Sequence, residues 1–120
     1  MTSNVVIEEG VTSIGNTAFR CLSSLEELTV KGDVTIGNYA FSHCTSLKSV
    51  TIPEGVTTIG RCAFYGLKFV RKATIADTVT AISDYGFYMC YLLKSIDLPE
   101  NITIGKDAVV KTGISVIPMV

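Results

Sequence analysis

Apolar and polar positions repeat along the chain with a step of 22 or 23 residues. A small residue followed by phenylalanine marks each copy most clearly, as in Ala18-Phe19 and Ala63-Phe64. An isoleucine precedes the pair at a constant offset, at Ile14, Ile36, Ile59, Ile82 and Ile104. Aliphatic residues recur six, nine and eleven positions after the phenylalanine. A fixed period of this length indicates a repeat architecture, in which each copy forms one turn of a stack. Each turn is here called a rung.

One copy predicts two short strands and two turns. Residues 50–52 read apolar, polar, apolar, which is typical of a strand with one buried face. A turn follows, in which Pro53 suits the second position and Gly55 the fourth. Residues 56–59 are β-branched throughout and predict a second strand. The spacing of apolar residues in 61–67 then predicts about one turn of α- or 3₁₀-helix.

A single rung cannot bury its own apolar face, but a stack can, because each rung covers the next. The strands should therefore pair in register as a parallel sheet, with rungs about 4.8 Å apart. The two steps of 22 residues arise because segments 33–36 and 101–104 are one residue shorter, and a kink or narrow bulge is predicted there. The predicted fold class is α/β: a solenoid of about five rungs with short parallel strands and short helical turns.

The most regular copy, residues 50–64, reads VTIPEGVTTIGRCAF. It resembles the BspA-like class of leucine-rich repeats, whose motif is L-x-x-V-x-I-P-x-x-V-T-x-I-G-x-x-A-F-x-x-C. The resemblance extends from about Val5 to Ile104, with Leu22 and Leu67 replacing the motif's cysteine. It implies a right-handed leucine-rich-repeat solenoid, and residues 1–120 then form a single domain that is a fragment or a short array. It also implies a secreted or cell-surface recognition module involved in adhesion, and not an enzyme.

The amino-acid composition of the chain limits the classes of partner that are expected. Apolar residues make up 48% of the chain and charged residues 18%, which predicts one folded domain. The formal net charge of -1 gives no electrostatic reason to expect nucleic acid or an anionic membrane. No apolar run reaches the ~20 residues of a membrane-spanning helix, so no membrane insertion is expected. Glu8 and Glu9 interrupt any secretory signal, which leaves a cytoplasmic protein and a trimmed secreted fragment both open.

The residues capable of chemistry predict no catalytic, metal or cofactor site. Cys44 and Cys90 share a column two rungs apart, roughly 9–10 Å at sheet spacing. That exceeds the ~7 Å limit for a disulfide, so both are predicted to be small buried hydrophobes. No Cys-x-x-Cys pair supports zinc, and the glycines form no phosphate-binding loop. His43 has no evident nucleophile or orienting acid and is expected to be an exposed structural residue.

The outward positions of the first strand form one candidate partner-binding face. It carries a basic group of four residues, Lys48, Arg71, Lys72 and Lys94. Solenoids commonly bind through an extended sheet face, and these side chains would suit an acidic or phosphorylated protein. The alternative is a solvated polar face with threonines paired across the strands.

A second candidate lies in the loops that follow the phenylalanine. The first two rungs have serine, threonine and histidine there, whereas the next two have apolar and aromatic residues: Tyr65, Phe69, Tyr88, Tyr91 and Leu92. Exposed aromatic residues of this kind often mark an interface. Alternatively, these loops pack on each other or on a longer C-terminal segment.

Neither end of the repeat array has a polar cap, since apolar residues dominate 5–7 and 114–120. Repeat stacks usually need such caps to stay soluble. The chain is therefore expected either to be part of a longer array or to stack on another copy through its terminal rungs. The favoured function is protein recognition at a surface, and the alternative is a structural spacer or self-assembly element.

Overall fold

The structure, a computed structural model, describes residues 3–114. This range contains ten short strands and no helix. The strands are β1 (Asn4–Ile7), β2 (Ser13–Ile14), β3 (Glu27–Val30), β4 (Thr35–Ile36), β5 (Val50–Ile52), β6 (Thr58–Ile59), β7 (Lys72–Ile75), β8 (Ala81–Ile82), β9 (Ser95–Asp97) and β10 (Thr103–Ile104). The principal-axis extents are 36 × 26 × 19 Å.

The strands build a parallel solenoid. The second strands of all rungs form one five-stranded sheet in the order β10-β8-β6-β4-β2. The register follows the sequence columns, with Val50 opposite Ala73 and Ala73 opposite Ile96. The predicted parallel, in-register stack is therefore confirmed. Four complete turns run from β1 to β9, and residues 115–120 lie outside the described range, so the predicted count of about five rungs is not confirmed.

The first strands do not form the single sheet that was predicted. They divide into a two-stranded ladder, β1-β3, and a three-stranded ladder, β5-β7-β9. The break lies beside the rung whose loop is one residue short. In the third rung the N–H of Val56 donates to the carbonyl oxygen of Pro53 at 3.4 Å, which closes a turn. The equivalent residues 31–34 make only a bend. The shortened loop thus distorts the stack locally, as predicted, without ending it.

The turn after β5 is shifted by one position from the prediction. Its hydrogen bond joins Pro53 to Val56, so proline occupies the first position and Gly55 the third. Gly55 has φ of +99°, in the left-handed region. Glycine is needed there because a side chain is strained at that φ, and the proline is not the residue that sets the turn.

The predicted helical turn is replaced by a series of tight turns, here called the turn arc (residues 15–22 and their equivalents, such as 60–67). Within the arc, the N–H of Ala18 donates to the carbonyl oxygen of Gly15 at 3.2 Å. The N–H of Phe19 instead donates to the carbonyl oxygen of Ala40 in the next rung at 2.9 Å. A helix would direct all its N–H groups along its own axis. In the arc, every second N–H group donates to a carbonyl oxygen of the next rung. The hydrogen bonding between rungs therefore continues from the sheet into the arc.

This alternation requires left-handed backbone at two columns of each arc. The residues with positive φ are Thr17, Tyr39, Cys62, Tyr85 and Asp107 in one column, and Cys21, His43, Gly66, Met89 and Lys111 in the other. Most of these are not glycine, so each position carries some backbone strain. The strain is offset because the arc satisfies its backbone polar groups both within the rung and between rungs. The apolar spacing in 61–67 fits this conformation as well as it fits a helix.

The core is a column of stacked rings flanked by aliphatic columns. Phe19, Phe41, Phe64 and Phe87 stack with centroids 5.3 to 5.5 Å apart and ring planes within 11° of parallel. Phe41, Phe64 and Phe87 are fully buried, as are Ile59 and Ile82. Burying a side chain of this size stabilises the fold by about 1.5–3 kcal/mol. The repeated motif therefore forms the inside of the solenoid, and the residues that vary between rungs form its surface.

Candidate recognition surface

The structure divides the predicted partner-binding residues into two groups. Tyr65 and Tyr88 are half-buried on the turn arc, where they contact each other. Phe69 lies with Lys48 and Arg71 around a groove beside the first strands. The other four residues belong to neither group: Lys72, Tyr91 and Lys94 are exposed and Leu92 is half-buried.

The tyrosines of the arc pack from rung to rung. The rings of Tyr65 and Tyr88 meet edge to face at 5.5 Å, and Tyr88 meets Tyr85 in the same way at 5.2 Å. The hydroxyl of Tyr65 donates to the sulfur of Met89 at 3.4 Å. His43, which is exposed as predicted, lies 5.0 Å from the ring of Tyr65. For Tyr65 and Tyr88, the structure therefore supports the interpretation that neighbouring loops pack on each other.

Sequence reasoning missed two arginine–tyrosine contacts on the same arc. The guanidinium of Arg20 lies 5.5 Å from the ring centre of Tyr39, and that of Arg61 lies 5.9 Å from that of Tyr85. A hydrogen bond with the Cys62 thiol raises the pKa of the Tyr39 hydroxyl. The contacts join residues one rung apart. The two tyrosines share a column, but the arginines lie in different columns, 19 and 24 residues before them, so no common spacing signals these contacts.

A ladder of side-chain oxygens at the start of the arc was also missed. The Oδ1 atom of Asn16 accepts the N–H of Asn38 at 2.8 Å, and the Oδ1 atom of Asn38 accepts the N–H of Arg61 at 2.9 Å. Asp84 accepts the N–H of Lys106 at 2.8 Å in the same way. Each oxygen satisfies a backbone donor at a rung boundary. The recurrence of Asn16 and Asn38 one step apart was a visible signal of this role.

The second group surrounds a groove of about 550 Å³, here called the Phe69 groove. Its lining residues are Glu26, Ser46, Lys48, Phe69 and Arg71. Ser46 and Phe69 occupy the same column in successive rungs, and Ser46 is half-buried whereas 57% of Phe69 is exposed. The small serine beside the large ring leaves the space that forms the groove.

Charges near the Phe69 groove are only partly paired. Lys48 lies 3.3 Å from Glu26, and Lys72 lies 3.6 Å from Asp97. Arg71 and Lys94 form no ion pair with any residue between 3 and 114. Exposed ion pairs of this kind contribute only about 0–1 kcal/mol. The basic group that was predicted as one surface therefore contains both paired and unpaired members.

Two of the four thiols are held in an unreactive form. Cys44 and Cys90 are fully buried, as predicted, and donate to the carbonyl oxygens of Phe19 and Phe64 at 3.2 and 3.0 Å. Burial raises the pKa of Cys44 to about 11 and that of Cys90 to about 12. Cys21 is exposed. Since the thiolate is the nucleophile, Cys44 and Cys90 are held in their unreactive form at neutral pH.

Residues 3–114 contain neither a metal-binding cluster nor a membrane-spanning helix. No three histidine, cysteine or acidic side chains in this range lie close enough together to hold a metal ion. No helix there is long and apolar enough to cross a membrane. One buried polar atom of the same range, the hydroxyl of Ser42, has no hydrogen-bond partner. It lies in the arc column that Tyr65 and Tyr88 also occupy, where a serine was expected to belong to a polar loop.

Comparison with known proteins decides the family. The model of the BspA type leucine-rich repeat region matches six copies, over residues 1–36 and 12–119. The chain belongs to this family. A crystal structure of a leucine-rich repeat protein from Bacteroides ovatus is similar to it, with a TM-score of 0.50 and 25% identity. The match covers 93% of this chain and 42% of that one, so the chain spans less than half of its structural relative. No curated protein matches the chain.

Membership of a leucine-rich-repeat family supports a repeat module for protein interaction. Proteins of this family and fold are typically not enzymes.

Proposed function

We propose that this BspA-type chain is a non-catalytic protein-recognition module that acts at a cell surface or after secretion, in adhesion or in another partner interaction. Membership of the repeat family supports the recognition role. The solenoid is held by a continuous core, so its surface is formed before any partner arrives. A preformed surface loses little conformational freedom on binding, and more of the contact energy is available as affinity.

The observation that carries this proposal is the exposure of Phe69. A side chain of this kind gains stability by burial, yet 57% of it remains in contact with solvent. Ser46 fills the same column one rung earlier, so the repeat does not need an aromatic residue there. Exposed aromatic side chains next to arginine are common at the centre of protein interfaces. Phe69 is therefore the expected anchor.

The flanking residues extend the proposed surface beyond the groove. Tyr91 is 53% exposed, and Leu92 continues the column of Ser46 and Phe69. Lys94 lies in the column of Arg71, and Lys72 lies in the column after it. Together they give an apolar centre with a basic rim, which is the usual arrangement of a protein interface. Tyr65 and Tyr88 contribute at its border, since their packing leaves them half-exposed.

Photo-crosslinking tests the proposal even when the partner has not been identified. A benzophenone amino acid is placed at Phe69, and in a second variant at Thr29, an exposed position on a different ladder. Both are exposed to proteins of the native surface or secretion medium. The expected result is a discrete crosslinked protein from position 69 that is absent from position 29. This protein, once purified, should bind the unmodified chain and lose affinity for Phe69→Ser.

The same partner at both positions, or equal affinity of the purified partner for Phe69→Ser, would contradict the proposal. The Phe69→Ser variant should retain its unfolding temperature, because it copies Ser46. That measurement separates a lost contact from a lost fold.

One observation favours a second candidate function, a self-assembly element. Val11 belongs to a core column whose other members are almost completely buried: Val34, Val56, Val79 and Ile102. Val11 itself is 39% exposed because no rung within residues 3–114 covers it. An uncovered core column favours stacking on a further rung, supplied by another copy or by more of the same array. Light scattering tests this, since Val11→Asp should reduce concentration-dependent association, and a monomer at high concentration would exclude it.

A further inference from the structure

We propose, building on the recognition role above, that the Phe69 groove takes an extended acidic peptide segment of a partner protein. One apolar side chain of that segment packs on Phe69, and a neighbouring carboxylate binds Arg71. The arguments are the shape of the groove, its exposed ring and the distribution of charge around it.

The shape of the groove suits a peptide that crosses the rungs. Glu26, Lys48 and Arg71 occupy one column in three successive rungs, so the groove runs along the solenoid axis. Two of its lining residues, Glu26 and Lys48, lie just before β3 and β5. Its volume of about 550 Å³ lies within the range of pockets that hold small ligands, about 300–1,000 Å³. A few residues of an extended chain would fill it.

The wall at Phe69 provides the apolar contact. The ring has Ser46 on one side in its column, which is too small to cover it. An aliphatic or aromatic side chain from a partner would occupy the space that a larger residue at 46 would otherwise fill. The chain itself uses Leu92 at the next position of this column, so the column accepts side chains of that size and shape.

The charge around the groove selects an acidic segment. Five basic side chains lie in the columns at and beside it, Lys48, Lys68, Arg71, Lys72 and Lys94, whereas the acidic ones are Glu26, Glu27 and Asp97. The surface is therefore positive although the whole chain has a net charge of -1. A basic peptide would meet this excess at close range, and like charges across an interface oppose binding.

The pairing of charges fixes where the carboxylate goes. Lys48 already contacts Glu26 at 3.3 Å, so a second carboxylate placed there would be repelled by Glu26. Arg71 has no acidic partner among residues 3–114. Its planar guanidinium can bind a carboxylate through two parallel hydrogen bonds. The segment should therefore place its apolar residue toward Ser46 and its acid toward Arg71.

The test uses short fluorescein-labelled peptides and fluorescence polarisation with the full chain. The probe has one leucine flanked by aspartate and glutamate. One matched peptide replaces the acids by asparagine and glutamine, another replaces the leucine by serine, and a third carries phosphoserine in place of the acids. The acidic leucine peptide should bind about tenfold or more tightly than the first two, because it alone offers both contacts. Its affinity should fall as NaCl rises from about 0.05 to about 0.5 M.

Three variants locate the binding. Arg71→Glu reverses the anchoring charge, and Ser46→Phe fills the groove with the residue that the next rung already uses. Lys106→Glu, on the turn arc of the last rung, makes the same charge change away from the groove. The first two should lower the affinity for the acidic leucine peptide about tenfold or more, and the third should leave it unchanged within about twofold. Unfolding temperatures confirm that all three fold.

Equal binding of the neutral and acidic peptides, or unchanged affinity in Arg71→Glu and Ser46→Phe, would overturn the inference. Tighter binding of the phosphoserine peptide would assign the groove to phosphorylated partners and overturn the acidic assignment. Failure of the acidic leucine peptide to bind would overturn it as well. None of these results decides the proposed function, since a discrete crosslink at Phe69 would still identify a protein partner.

Discussion

The turn arc and the Phe69 groove both carry aromatic side chains, but among residues 3–114 only those of the arc contact other rings. In the arc, each core phenylalanine stacks on another, and Tyr65 meets Tyr88. In the groove, Phe69 has a serine next to it in the column. The same kind of residue is therefore structural where rings of neighbouring rungs contact it and available to a partner where none does. In a repeat protein, the neighbour in the next rung decides the role of a residue as much as its own type does.

The largest expected effect is on the column of stacked phenylalanine rings in the turn arc. Phe64→Ala should lower the free energy of unfolding by about 3–5 kcal/mol, because it leaves a cavity between Phe41 and Phe87. Urea denaturation measures the change. The matched variant Phe69→Ala should cost far less, and similar losses in the two variants would mean that Phe69 also belongs to the core.

A smaller effect is expected where the arcs approach each other closely. A side chain at Gly60 would place its Cβ 2.6 Å from the backbone oxygen of Ile36, whereas one at Gly15 would meet nothing within 4 Å. Gly60→Ala should therefore destabilise the protein by about 1–3 kcal/mol through overpacking. Thermal unfolding should show the loss, with Gly15→Ala as the control. Ser83 occupies the same column, which shows that an arc can shift to admit a side chain and keeps the expected cost at this level.

The turn arc and the Phe69 groove are compared most directly through Tyr88 and Phe69. Another rung has a serine in the column of each residue, at Ser42 and Ser46. Tyr88→Ser should cost about 1–2 kcal/mol, because the ring loses edge-to-face contacts with Tyr65 and Tyr85. Phe69→Ser should change stability by no more than about 0.5 kcal/mol, as is usual for an exposed position. Chemical denaturation of both variants distinguishes them. A sharp loss in Phe69→Ser with no effect on partner binding would remove the basis of the proposed surface.

The smallest perturbation is the labelling of thiols with a disulfide reagent at about pH 8. Cys21, which is exposed, should react at once, while Cys90 should react only as the protein unfolds. The raised pKa of Cys90, about 12, keeps its thiol protonated, and the thiolate is the attacking form. The pKa of Cys90 in the folded protein lies above that of an unfolded thiol, about 8.5. The free energy of unfolding should therefore fall as pH rises from about 8.5 toward 12. Rapid labelling of Cys90 at about pH 8 would mean that the interior opens locally.

Much of the architecture could be predicted from the columns, and the candidate site only in part. Alternation in 50–52 predicted a strand with Val50 and Ile52 inside, which the structure confirms. The arc was predicted as helical because its apolar spacing fits a helix, and sequence does not show that alternate N–H groups are used between rungs. Phe69 and Tyr65 looked equivalent in sequence. Each follows a serine in its column, Ser42 or Ser46. They differ because the ring of Tyr65 contacts His43 and Tyr88, whereas Phe69 contacts no ring among residues 3–114.

The sequence alone determined that this protein is a parallel stack, because the repeated apolar columns can be buried only when each rung covers the next. It also determined which residues form the inside, namely those that recur. Only the tertiary structure decided how the turn arc is built, where the sheet of first strands divides, and which variable residues meet. Those outcomes depend on contacts between rungs and on the length of a single loop. The Phe69 groove exists because Ser46 and Phe69 differ in size in one column of neighbouring rungs.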